Sequence, residues 1–181
     1  MPQTLLALAG LLVFSSYALS RHQADNDVEL RSIASEAELA ASDLAEDYMA
    51  RVLQLAWDEA DITSPTPRSA PLPPPARLGP DPDPSTGGVE AYDAGYDDID
   101  DYADGEVRRE SASIGVDGRL AFAVSVDVVY VNPSAPDSVS NDPTLAKLVT
   151  VSAEEVGAAG GRRARVRLQR VVTPVGHAAH R

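Results

Sequence analysis

The spacing of apolar residues changes character three times along the chain, and each change predicts a different element. Residues 4–20, Thr-Leu-Leu-Ala-Leu-Ala-Gly-Leu-Leu-Val-Phe-Ser-Ser-Tyr-Ala-Leu-Ser, are uncharged and apolar on every side of a helix. From there apolar residues recur in steps of three and four, at Leu30, Ile33, Ala37, Ala40, Leu44, Tyr48, Val52 and Leu55. Those steps draw one stripe along an amphipathic helix. Acidic residues such as Asp25, Glu29, Glu36, Asp43, Asp47 and Asp58 fill the other faces. No Gly or Pro interrupts residues 11–64, so one rod from about Gln3 to Asp61 is expected, on the order of 85 Å long.

Prolines at 65, 67, 71, 73, 74, 75, 80, 82 and 84 then end any helix and favour extended polyproline II, which reads as a spacer. Beyond it the period becomes two. Leu120, Phe122, Val124, Val126, Val128 and Tyr130 share one face of a long strand, with Ala121, Ala123, Ser125 and Asp127 opposite. Asp117-Gly118 is a hairpin turn signal, which makes residues 111–116 the partner strand. Residues 147–153 predict a further strand. Ala164, Val166, Leu168 and Val172 mark one face of a last, with Arg163, Arg165, Arg167 and Gln169 on the other. Gly157 to Gly161 would join these two. The fold class expected is α+β: a long N-terminal helix, membrane-inserted and then amphipathic, packed on a small antiparallel sheet of four strands. The corresponding division is 1–21 anchor, 22–62 amphipathic helix, 63–89 Pro-rich linker, 90–175 β-domain and 176–181 flexible tail.

The uncharged N-terminal run is slightly shorter than the ~20 residues that cross a bilayer. A retained anchor is favoured, with Tyr17 near one interface and Arg21 reaching back to the headgroups. A cleaved signal is the competing reading, because Ala18-Leu19-Ser20 fits the small-x-small rule, although no Lys or Arg precedes the run. A buried helix of a soluble domain fits least, since little else here could cover it.

The net charge of -13 argues against a broad nucleic-acid surface. The absence of Cys excludes disulfides, thiolate metal sites and Cys nucleophiles. Of three His, His22 lies beside the apolar run and His177 and His180 lie in the C-terminal tail, which leaves no metal or triad set. No motif for a small-molecule substrate stands out, so no enzyme is expected. The one candidate site is acidic. Seven carboxylates lie between Glu90 and Asp104 with no basic residue among them. Asp97, Asp98, Asp100, Asp101 and Asp104 offer the hard oxygens that suit Ca²⁺, although EF-hand spacing is missing. The plainer reading is a solvated loop pinned to the core by Tyr92, Tyr96, Ile99 and Tyr102.

The order of apolar helix, amphipathic extension, loop and antiparallel sheet resembles bacterial type IV pilin-like proteins, including minor pilins and type II secretion pseudopilins. The likeness includes Asp97-Asp98-Ile99-Asp100-Asp101-Tyr102 ahead of the Val-rich strand 124–131, then Lys147-Leu-Val-Thr-Val151. It implies a single-pass protein of the cell envelope, or a subunit of an extracellular filament. Its partners would be membrane lipid and other pilin-like subunits, met through the N-terminal helix. The chain departs from that family at its start: Met1-Pro2-Gln3-Thr4-Leu5-Leu6 is no prepilin peptidase site, and the apolar run has no Glu.

Overall fold

The computed structural model describes residues 2–58, 72–82, 87–92, 95–115, 118–157 and 163–174, without the side chains of residues 2 and 4–7. Expectations for residues 63–71, Asp117, 158–161 and the tail with His177 and His180 lie outside the described residues.

One helix, α1 (Pro2–Val52), runs for 51 residues, roughly 75 Å. It ends earlier than the expected rod, and no breaker ends it. The amides of Gln54 and Leu55 turn back to the carbonyls of Arg51 and Val52. The backbone of Ala56 then leaves for a different partner: its N–H donates to Asp97 O at 3.0 Å, and its carbonyl accepts from Ile99 N at 2.9 Å. Trp57 follows, fully buried, with its indole Nε1 donating to Val172 O at 3.2 Å. Tertiary hydrogen bonds available to residues 56–57 therefore outcompete another helical turn, whose gain per residue is small.

The sheet is antiparallel in the order β1 (Val107–Ile114), β2 (Gly118–Asn132), β4 (Lys147–Val156), β5 (Arg165–Val172), with β3 (Ala135–Val139) paired to the end of β2. It thus has five strands, one more than expected. The extra strand, Ala-Pro-Asp-Ser-Val, carries no alternation and is exposed throughout. Asn132 Oδ1 accepts from Ser134 N at 2.9 Å across the turn, with Asn132 opposite Ala135. Turn chemistry, and not a buried face, creates it. The first hairpin also differs: β1 begins at Val107, and Gly115 takes the positive φ of 55° at its loop.

Alternation in β2 is realised as read. Phe122, Val124, Val126, Val128 and Tyr130 are all buried on one face, and Val149, Val151 and Ala153 of β4 stand beside them in register. Across that face lies only the C-terminal third of α1. Ala37, Ala40, Ala41, Ala45, Tyr48, Met49 and Val52 are buried, whereas Leu44 is only partly so. The stripe is centred on small residues because a helix can approach a sheet closely only where its side chains are short. Leu72 and Leu78, from the proline-rich segment, pack on the same core. On the outer face Arg163 and Arg165 are exposed and meet Glu154 of β4 at 3.7 and 4.0 Å, a solvated edge of the kind that discourages sheet-to-sheet pairing.

Candidate functional site

Two features stand apart from ordinary core packing. The first is the free part of α1. Every described side chain before Ala37 is exposed, including Leu11 at 69% and Phe14 at 71%. Leu30 and Ile33, expected on the stripe, are exposed as well, so the packed stripe begins about two turns later than its sequence pattern. Among the described residues no helix is long and apolar enough to cross a membrane. The side chains of residues 4–7, which belong to the uncharged run, lie outside the described set.

The second feature is the acidic segment, which does not lie in solvent. Asp98, Asp100 and Asp101 are buried, as are Tyr96, Ile99 and Tyr102. Two of the carboxylates organise the backbone. Asp98 Oδ1 accepts from the amides of Asp100 (2.8 Å) and Asp101 (3.2 Å). Asp101 Oδ2 accepts from the amides of Asp97 (3.0 Å) and Asp98 (3.1 Å). Each aspartate thereby caps the turn that holds the other, the local competition with regular structure for which Asp is suited.

Asp100 instead meets a cation from another element. Lys147, the only lysine in the chain, opens β4 with none of its surface exposed. Its Nζ donates to Asp100 Oδ1 and, at 2.7 Å, to Trp57 O, and it lies 3.9 Å from Asp58 Oδ2. The ring centroids of Trp57 and Tyr130 are 4.2 and 5.8 Å away, so aromatic faces complete the cation's surroundings. Asp104 has a cation of its own. It accepts from Arg108 Nη2 and from Tyr96 OH at 2.9 Å, while Arg108 stacks 3.9 Å above Tyr92. Tyr92, Tyr96 and Tyr102 meet edge to face at centroid distances of 5.2 to 6.3 Å. The tyrosines expected to pin the loop do so, with Arg108 inserted among them.

The five aspartates read as a candidate cation set therefore separate. Asp100 faces Lys147, Asp104 faces Arg108, and Asp98 serves the turn. Only Asp97 and Asp101 stay together, joined by Glu90, with one carboxylate oxygen from each within 4.8 Å of the others. Burial pushes the Glu90 carboxyl up to about 7, helped by the charges of Asp101 and Asp97 and by a hydrogen bond with Asp101. Burial also raises Asp98 to about 9, reinforced by Asp100 and Asp101 and opposed by Lys147. Burial raises the proton affinity of Asp101 as well, against the pull of the Asp98 and Asp97 amides, and three carboxylate oxygens converging there suit a shared proton or a hard cation.

Sequence reading missed Lys147 and Arg108 because both lie outside the acidic run. One signal for Lys147 was present: it shares the parity of Val149, Val151 and Ala153, which places a lone lysine on the core face of β4.

No family model matches the chain, and no curated protein or solved structure matches it.

Proposed function

We propose that the chain is a non-enzymatic structural subunit or accessory of a pilin-like assembly in the cell envelope. In this reading the free part of α1 packs among equivalent helices of neighbouring subunits, within a membrane or a filament core, and the sheet domain faces outward. One observation carries it: a continuous helix leaves its own domain and presents Leu8, Leu11, Leu12, Val13, Phe14, Tyr17 and Leu19 with no cover from the other described residues. Contiguous apolar surface of that extent calls for a partner, because water solvates it poorly. The helix-on-sheet arrangement agrees with the resemblance drawn from the sequence. Association through apolar helices needs no charged or catalytic group in the run, and none is there.

The test is the state of the full chain. It is expected to sediment as an oligomer or with membranes and to need detergent for dispersal. Leu12→Glu together with Phe14→Glu should release a monomer whose sheet domain keeps its circular dichroism. A full chain that is monomeric without detergent would sink the reading.

A second reading, a cation-binding module, is favoured by the convergence of Glu90, Asp97 and Asp101. Under it, Ca²⁺ at a hundred times its dissociation constant raises stability by about 2.7 kcal/mol, beyond what Na⁺ gives at equal ionic strength. The increment should vanish in Asp97→Asn. Identical melting shifts with Ca²⁺ and Na⁺ would leave only charge screening.

A further inference from the structure

Lys147 and Asp100 form a buried ion pair whose surroundings bear on chemistry independent of the functional reading above. The two residues lie 47 positions apart in the chain, one on β4 and one in the acidic segment, and Nζ sits directly against Oδ1. Lys147 is wholly buried, and the side chains of Asp100 and Asp58 are 8% and 6% exposed. Asp58 brings a second carboxyl to 3.9 Å from the same nitrogen. The Trp57 carbonyl fixes the direction of the ammonium, and the rings of Trp57 and Tyr130 close the site. An amine, a carboxyl to acylate it and a carboxyl to move protons are thus held together out of solvent, beneath two aromatic rings.

We infer that Lys147 and Asp100 condense to an intramolecular amide, with Asp58 as the proton carrier. The step balances without any co-reactant. Asp58 takes a proton from Nζ and passes it to an oxygen of Asp100. The free amine attacks Cγ of Asp100 and forms the Nζ–Cγ bond. Asp58 takes a second proton from the nitrogen and gives it to the departing hydroxyl, the Cγ–O bond breaks, and water leaves. One ammonium and one carboxylate become one neutral amide, and Asp58 ends as it began. Two features favour the condensation. Reactive groups held in contact behave as though present at very high concentration, with effective molarities on the order of 10⁵ M or more. Removing two opposite charges from a poorly hydrated interior also lifts their desolvation cost. The product would tie the acidic turn to the sheet in a chain that has no cysteine to do so.

The lone lysine makes the test unambiguous. The purified full chain is denatured and treated with a lysine-specific endoproteinase. A free Lys147 gives two fragments, whereas an amide-linked Lys147 leaves the chain uncut. The expected result is an uncut chain one water lighter than its sequence, with a peptide map joining the segments that hold Asp100 and Lys147. Asp100→Asn should lose ammonia instead of water, so its product has the same mass as the wild-type product. Asp58→Asn should leave Lys147 free and cleavable. Complete cleavage of wild type at full sequence mass would overturn the proposal, as would an uncut chain that keeps its water. A wild-type level of linkage in Asp58→Asn would overturn the role given to Asp58. Because the wild-type result is decisive alone, a variant that fails to fold does not protect the idea.

Discussion

At the scale of single residues, the acidic segment is governed by how protons and cations share its buried carboxyls. Asp98 and Glu90 both hold protons more tightly folded than unfolded, raised to about 9 and about 7. A carboxyl raised in this way adds stability that is fully present below its ordinary value and lost as pH rises through its folded value. The denaturant midpoint should therefore fall between about pH 5 and about pH 9, the opposite of a protein stabilised by ionised aspartates. Asp98→Asn keeps a neutral group in the turn at every pH. It should flatten that profile and be the more stable form at about pH 9, by an amount on the order of a few kcal/mol. A midpoint that rises with pH in the wild type would contradict the assignment. Charge alone did not reveal this. The sequence shows carboxylates with no base among them, whereas the folded chain brings in Lys147 from β4 and turns Arg108, four residues past Asp104, back onto the run.

At the scale of elements, the decisive contact is the C-terminal third of α1 against the sheet. Ala41 and Ala45 have no exposed surface and belong to the core shared by helix and sheet. Ala41→Leu should cost roughly 1–3 kcal/mol by overpacking, although leucine is nearly as good a helix former. The same change at exposed Ala50 should be nearly neutral, and urea unfolding of the two variants measures the difference. Equal midpoints would mean that the helix can rise off the sheet at little cost. The Tyr48 hydroxyl adds polar specificity here, donating to Glu110 Oε1 at 2.5 Å and accepting from Tyr92 OH at 3.2 Å. Helix and sheet are thereby set in register with the tyrosine cluster.

At the scale of the whole molecule, folding and association are carried by different parts of one helix. Burial begins at Ala37, while Leu30 and Ile33 are exposed at 65% and 43%. A truncation that starts at Ser35 should therefore unfold cooperatively with a midpoint close to that of the full chain. A start at Ser42, which removes Ala37, Ala40 and Ala41 from the core, should be clearly less stable. If the Ser35 truncation fails to fold, the residues before it support the domain in a way that burial does not reveal.

The sequence by itself determined the elements whose signal is periodic and local. The helix, the faces of β2 and β5, and the α+β class all follow from the spacing of apolar side chains, because amphipathic spacing and burial are two views of one constraint. Where α1 stops was not local, since Ala56 and Trp57 are drawn away by Asp97, Ile99 and Val172 from distant parts of the chain. The strand β3 was equally hidden, being held by a turn and an edge and not by a buried face. The fate of the acidic run was decided last and only in three dimensions. Its composition suggested a site for an external cation, but Lys147 from a distant strand takes Asp100, Arg108 from just past the run takes Asp104, and among the described residues only Glu90, Asp97 and Asp101 still converge. Pairing of charges depends on which side chains meet across the fold, and spacing along the chain does not encode that.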